Sequence, residues 1–101
     1  MFYIDHITIN IMKRRIKIFV YGEVKGVFFR AFVKEEAEKL NIKGYVKNSD
    51  DYVEAVFEGN SDSINKMIIL CKKGPKFSRV DDTKIVEEEF GNEFKKFEIV
   101  Y

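Results

Sequence analysis

Ile16, Ile18 and Val20 alternate with Lys17, Phe19 and Tyr21, the two-residue period of a strand with one buried face. From Phe29 the period lengthens. Phe29, Val33, Ala37 and Leu40 fall at helical spacing, with Lys34, Glu35, Glu38 and Lys39 on the opposite side, which predicts an amphipathic helix over 29–40. Lys43–Asn48 and Tyr52–Glu58 read as two strands joined by a tight Ser49-Asp50-Asp51 turn, since short polar turns of this kind make hairpins. Gly59-Asn60-Ser61-Asp62 opens a second helix with Ser61 as its expected N-cap. Ile64, Met67, Ile68 and Cys71 form its apolar stripe, and Gly74-Pro75 ends it. Two more strands are expected, Arg79–Glu88 and Phe94–Tyr101, with Gly91-Asn92 in the turn between them. The glycines are read as punctuation between short elements.

The predicted order is strand, helix, strand, strand, helix, strand, then one short strand. This is an α+β chain, a ferredoxin-like two-layer sandwich (βαββαβ plus a short fifth strand), with two helices on one face of a largely antiparallel sheet. Right-handed crossovers are expected. Residues 1–13 stand outside the pattern. They read as an extension, with Tyr3, Ile7, Ile9 and Ile11 able to form one side of an extra edge strand. Residues 14–101 form the domain proper.

Composition narrows the function classes. At 101 residues the chain holds one core and not two. Its 18 basic and 17 acidic residues leave a net charge of +1, so no broad field draws it to nucleic acid or to a membrane surface. No stretch approaches the ~18 apolar residues of a membrane helix, and the first residues do not form a secretory signal. A single cysteine, Cys71, allows no internal disulfide and fits a reducing cytoplasm.

The candidate chemistry lies between the first strand and the first helix, in Gly22-Glu-Val-Lys-Gly-Val-Phe-Phe-Arg30. A turn that opens a helix exposes unpartnered N–H groups, and with the positive end of the helix dipole they suit an anion. Gly26 permits a sharp bend. Arg30 can close on the anion with a planar, bidentate fork. Strand, glycine loop, helix start and arginine together describe a site for one phosphoryl group.

These residues, taken with a second segment, resemble the acylphosphatase family. Gly22–Arg30 resembles its first signature, a glycine, then Val-x-Gly-Val, then x-Phe-Arg. Gly44-Tyr45-Val46-Lys47-Asn48 resembles its second. Val53-Glu54, Glu58-Gly59, Gly74-Pro75 and Arg79-Val80 extend the likeness over about residues 14–101. The chain departs from the family in having Lys25 where glutamine is usual, and Asp50-Asp51-Tyr52 where a longer Asp-Gly hairpin is usual. The resemblance implies hydrolysis of carboxyl-phosphate anhydrides without metal or cofactor. Arg30 then binds the phosphate, Asn48 orients the attacking water, and the main chain of Val24, Lys25, Gly26, Val27, Phe28 and Phe29 completes the phosphate loop. The implied partners are a small acyl phosphate and inorganic phosphate as product and inhibitor, with no nucleic acid and no membrane. A monomer is expected, with pairing through residues 1–13 as the alternative.

Other side chains have plainer readings. Lys25 is expected to be a solvated loop cation, Phe28 and Phe29 loop and core packing, and Cys71 a core residue. His6 is read as a surface residue of the extension, and Glu87-Glu88-Glu89 as a solvated strand end with no metal-site pattern around it. Two further functions compete with catalysis. One is a regulatory domain of the same fold that binds phosphate without turnover. The other is an RNA-binding module, which the near-neutral charge and the position of Phe28-Phe29 in a loop disfavour.

Overall fold

A computed structural model describes residues 12–26 and 28–101. The strand β1 spans Lys13–Glu23, the helix α1 Phe29–Lys39, β2 Lys43–Asn48, β3 Val53–Asn60, α2 Ser61–Lys73, β4 Arg79–Glu88 and β5 Phe97–Val100. The expected extra strand within residues 1–11, and His6, lie outside the described residues. β1 begins at Lys13, inside the boundary drawn for the extension, and Lys13 pairs with Asn60.

The strands form one sheet in the order β4-β1-β3-β2-β5. β1 is antiparallel to both β3 and β4, β2 is antiparallel to β3, and β5 joins β2 in parallel. The alternation in β1 does what a period of two dictates. Ile16, Ile18 and Val20 are buried on the helix-covered face, opposite Phe57, Ala55 and Val53 of β3. From the helices come Phe29, Val33 and Ala37 of α1 and Ile64, Met67 and Cys71 of α2, all buried in the same core.

The other sheet face carries no helix, yet β3 is buried on both sides. Polar groups and the connection between β4 and β5 cover it. Glu58 is 3% exposed, and its carboxylate accepts bonds from the N–H groups of Gly91 and Glu93 at 3.1 and 2.9 Å. That compensates a charge that would otherwise be costly to bury. Arg15 pairs with Glu88 and Glu93 and stacks on Phe94, 5.1 Å from the ring centroid. Tyr45 donates to Glu54 at 2.7 Å. Burial first, and then that bond, raises the phenol well above its ordinary pKa, so it remains a donor.

Three local expectations are corrected. β5 starts at Phe97 rather than Phe94, because Phe94 is engaged on the open face by Arg15 and by the Tyr45 ring. The N-cap of α2 is Asn60, not Ser61; the Ser61 N–H donates to the Met12 carbonyl at 3.2 Å, so a neighbouring strand end takes the place of a side-chain cap. Glu87 and Glu88 are not merely solvated, since they pair with Arg14 and Arg15.

Near its end β1 shifts register with β4 between Tyr21 and Gly22 and stays paired with it through Glu23. Such an irregularity re-aims a strand end. Gly22 sits there at φ +132°, and a Cβ on it would lie 2.1 Å from the Arg79 carbonyl oxygen. Gly22→Ala is therefore expected to destabilise the fold by at least about 3 kcal/mol, combining backbone strain with a main-chain clash. Urea unfolding followed by circular dichroism measures it; a loss under about 1 kcal/mol would show that the two strands separate easily there.

Candidate functional site

The end of β1 and the start of α1 are joined by residues 24–28. Val24 anchors one side of this loop, 1% exposed in the core, and Phe29 the other at 2%. Gly26 has φ +73°, the left-handed region that favours glycine. A Cβ there would meet nothing within 4 Å, so conformation and not crowding calls for glycine. Val27, expected in the phosphate loop, lies outside the described residues.

Phe28 is the N-cap of α1. Its backbone is also left-handed, at φ 61° and ψ 27°, a conformation that costs a bulky residue about 1–3 kcal/mol. It makes no side-chain capping bond, and the first turn of α1 contains no acidic residue. The opening N–H groups therefore face outward without a carboxylate or hydroxyl from the cap. The start of α2 differs: Asp62 stands in its first turn, and the Ser61 N–H is bonded to Met12. Of the two helices, α1 is the one that offers its positive end to a ligand.

Arg30 follows in the first turn. The arginine ion pairs among the described residues involve Arg14, Arg15 and Arg79. Arg30 instead lies over the Tyr101 ring, 4.9 Å from its centroid. A cation–π contact of this kind orients a guanidinium while leaving its N–H edge available for an anion. Asn48 ends β2, opposite Val53. The next residues close the hairpin, with the Ser49 N–H donating to the Tyr52 carbonyl at 2.8 Å. The Tyr52 ring then packs edge-on against Phe19 and Tyr21.

The fold brings these parts to one cleft of about 310 Å³. Val24, Gly26, Phe28, Phe29, Arg30 and Asn48 all line it. Lys25 does not; its ammonium donates to the Asp50 carbonyl, tying the loop to the β2–β3 turn. Lys25 is exposed, as a solvated loop cation should be, and this one bond is an addition to that reading. The expectation for Phe28 is corrected: the ring is 84% exposed and stands at the cleft. Phe29 packs in the core as expected.

Ala31, Ile99 and Tyr101 complete the lining and were not singled out from the sequence. Val46 pairs with Ile99 and Lys47 with Val100, and one further step sets Tyr101 beside Asn48. No local pattern carries this, because the contact depends on parallel pairing between strands far apart in the chain. Cys71 is fully buried in α2, away from the cleft, and burial pushes its thiol up to about 12. Among the described residues no group of three or more His, Cys, Asp or Glu side chains gathers as metal ligands would, and no helix is long and apolar enough to cross a membrane.

The structure is a ferredoxin-like sandwich in which an uncapped helix start and Arg30 share one cleft with Asn48. The acylphosphatase family model matches residues 16–99. An acylphosphatase from Syntrophobacter fumaroxidans is 46% identical over 90 residues, covering 88% of this chain and 93% of its own. Another, from Aeropyrum pernix, is 44% identical over 89 residues, covering 86% and 88%. The crystal structure of acylphosphatase from Bacillus subtilis superposes with a TM-score of 0.84 at 37% identity, covering 89% of this chain and all of that one. The chain belongs to the acylphosphatase family.

Tyr101→Leu keeps the cleft wall apolar but removes the ring beneath Arg30. Its expected effect is a two- to fivefold weaker affinity for inorganic phosphate, the equivalent of about 0.5–1 kcal/mol for an exposed cation–π contact. Calorimetric titration with phosphate reads this directly, and an unchanged affinity would show that Arg30 is held without the ring.

Proposed function

We propose that the chain is an enzyme that hydrolyses acyl phosphates to a carboxylate and inorganic phosphate by direct attack of water. The observation that carries this reading is the shared cleft. Arg30, from the start of α1, and Asn48, from the tip of β2, line one hollow beside an uncapped helix start.

The chemistry asks little beyond that. An acyl phosphate releases a carboxylate, whose conjugate acid has a pKa of about 4. It departs without protonation and needs neither a general acid nor a Lewis acid. Catalysis of phosphoryl transfer is then mostly positioning and electrostatics. Arg30 and the main-chain N–H groups of the loop from Val24 to Phe29 hold the phosphoryl oxygens, Lys25 contributing its amide while its side chain braces the hairpin. Bonds to a charged partner contribute about 1.5–3 kcal/mol each. They lower the barrier to the extent that they tighten as the phosphoryl group flattens.

Asn48 holds the water in line with its carbonyl acceptor and amide donor. A carboxamide is too weak a base to take the proton, so a phosphoryl oxygen of the substrate receives it. The water oxygen bonds to phosphorus as the bond from phosphorus to the acyl oxygen breaks, and the electron pair leaves with the carboxylate. Val24 stands six positions before Arg30, the spacing at which cysteine phosphatases place their nucleophile, but valine has no nucleophilic atom and the buried Cys71 thiol stays protonated, so attack by water is direct.

The catalytic domain begins with β1 at Lys13 and runs to residue 101, with the residues before it as an appendage. One chain supplies every proposed site residue, which suits a monomer. Inorganic phosphate competes as product, no nucleic acid or membrane takes part, and a reducing cytoplasm suits the lone thiol.

The test is turnover of benzoyl phosphate, followed by its absorbance. Activity should persist with chelator present and fall as inorganic phosphate is added. Arg30→Ala is expected to lose all measurable activity. Asn48→Ala is expected to lose on the order of 10²–10³-fold in kcat with a modest change in KM, comparable to removing one oxyanion contact. Equal rates for wild type and Asn48→Ala would remove the water-positioning role. Phosphate binding without turnover would instead favour a regulatory domain.

A further inference from the structure

The proposed water-holding residue and the proposed phosphate loop stand on different elements, so something must set the distance between them. Asn48 is the last residue of β2, and its strand pairing is with Val53 of β3. The parallel pairing of β2 with β5 stops one residue earlier, at Lys47 and Val100. Beyond Asn48 the hairpin turns at once. Its base is fixed by the bond from the Ser49 N–H to the Tyr52 carbonyl. The Tyr52 ring adds a second anchor, 5.2 Å from the Phe19 centroid and 5.5 Å from that of Tyr21. The tip of the turn, Asp50, is exposed.

The phosphate loop is fixed at its two ends, by Val24 and Phe29 in the core. In its middle, nothing lies within 4 Å of where a Cβ on Gly26 would stand. Among the described residues one hydrogen bond joins this loop to the hairpin: the Lys25 ammonium donates to the Asp50 carbonyl. Lys25 does not line the cleft, whereas Gly26 beside it and Asn48 across the bond both do.

We propose that Lys25 is a positioning residue that acts through Asn48. By tying the turn after β2 to the phosphate loop, its ammonium fixes the distance between the water held by the carboxamide and the phosphorus held by the loop. The proposal rests on the acylphosphatase reading above and adds to it a residue that touches neither substrate nor water. The reaction is demanding in this one dimension. Attack needs the reacting atoms about 3–3.5 Å apart and aligned, and a misplacement of about 1 Å can cost on the order of 10²-fold in rate. A hairpin anchored only at its base spreads Asn48 over such displacements, and a bond two residues away limits them. The competing use of the same cation is to draw in anionic substrate by its charge. That acts on affinity and not on the rate of the bound complex.

The experiment measures kcat and KM for benzoyl phosphate, and Kd for inorganic phosphate, in wild type, Lys25→Met, Lys25→Arg, Asn48→Ala and the double variant Lys25→Met/Asn48→Ala. Methionine keeps much of the stem without the donor, and arginine keeps donor and charge. Lys25 is exposed, so neither exchange disturbs the core. Lys25→Met is expected to lower kcat about tenfold while Kd for phosphate shifts by less than about twofold. Lys25→Arg is expected to keep kcat within about threefold of wild type. In the Asn48→Ala background Lys25→Met is expected to cost nothing further, because nothing is left for it to position. The positioning role is overturned by an unchanged kcat in Lys25→Met, by a Kd that rises in step with the fall in kcat, by a Lys25→Arg as slow as Lys25→Met, or by losses that multiply in the double variant. Each of these leaves the phosphatase reading intact. Wild type that does not turn over benzoyl phosphate, or Asn48→Ala as fast as wild type, overturns the underlying reading of the site as well.

Discussion

The constraint on which the site depends is the way α1 begins. A helix start has N–H groups that must find acceptors, and this one has no capping side chain and no acid in its first turn. An arginine in that turn adds positive charge where the helix dipole is already positive. Neither feature favours the helix by itself. Under the proposed function both become favourable once an anion occupies the cleft, which gives a reason for a helix start that its own stability does not favour. The left-handed backbone of Phe28 belongs to the same bargain. The rest of the fold holds this unfavourable start in place, with Val24 and Phe29 buried on either side of it.

The sheet supplies that rigidity through its second face. A βαββαβ sandwich has helices on only one side, which would leave the central strand half exposed. Here Arg15, Glu58, Glu88 and Glu93 gather with Phe94 over the bare side, and the connection from β4 to β5 is bound down by main-chain bonds to Glu58. The same connection delivers β5 to the edge of β2. The charged face at one side of the sheet thus determines where Ile99 and Tyr101 arrive at the cleft.

Much of this was legible in the sequence. The alternation in β1 and the helical stripes of α1 and α2 each reflect one buried face, a signal that is local and periodic. Arg30 was legible from chemistry, as a cation in a glycine loop at a helix start, and Asn48 through the family resemblance. What was missed is non-local. The parallel pairing that brings Tyr101 beneath Arg30 leaves no trace in the spacing of either strand. Lys25 bonds to a carbonyl, an acceptor every residue carries, so no sequence pattern could name it. Phe28 was read as packing because apolar residues usually go inside; its exposure is set by a backbone conformation that composition does not encode. At Ser61 a good capping residue lost its place to the Met12 carbonyl.

The cleft draws on the tips of segments widely separated in the chain: the loop after β1, the end of β2, and the end of β5. An anion seated among them is a noncovalent cross-link between parts of the polypeptide that come together only in the folded molecule. An unfolded chain has no such convergence and hence no comparable affinity. By mass action, substrate and product bound there as proposed would shift the folding equilibrium toward the native state in proportion to how far their concentration exceeds Kd.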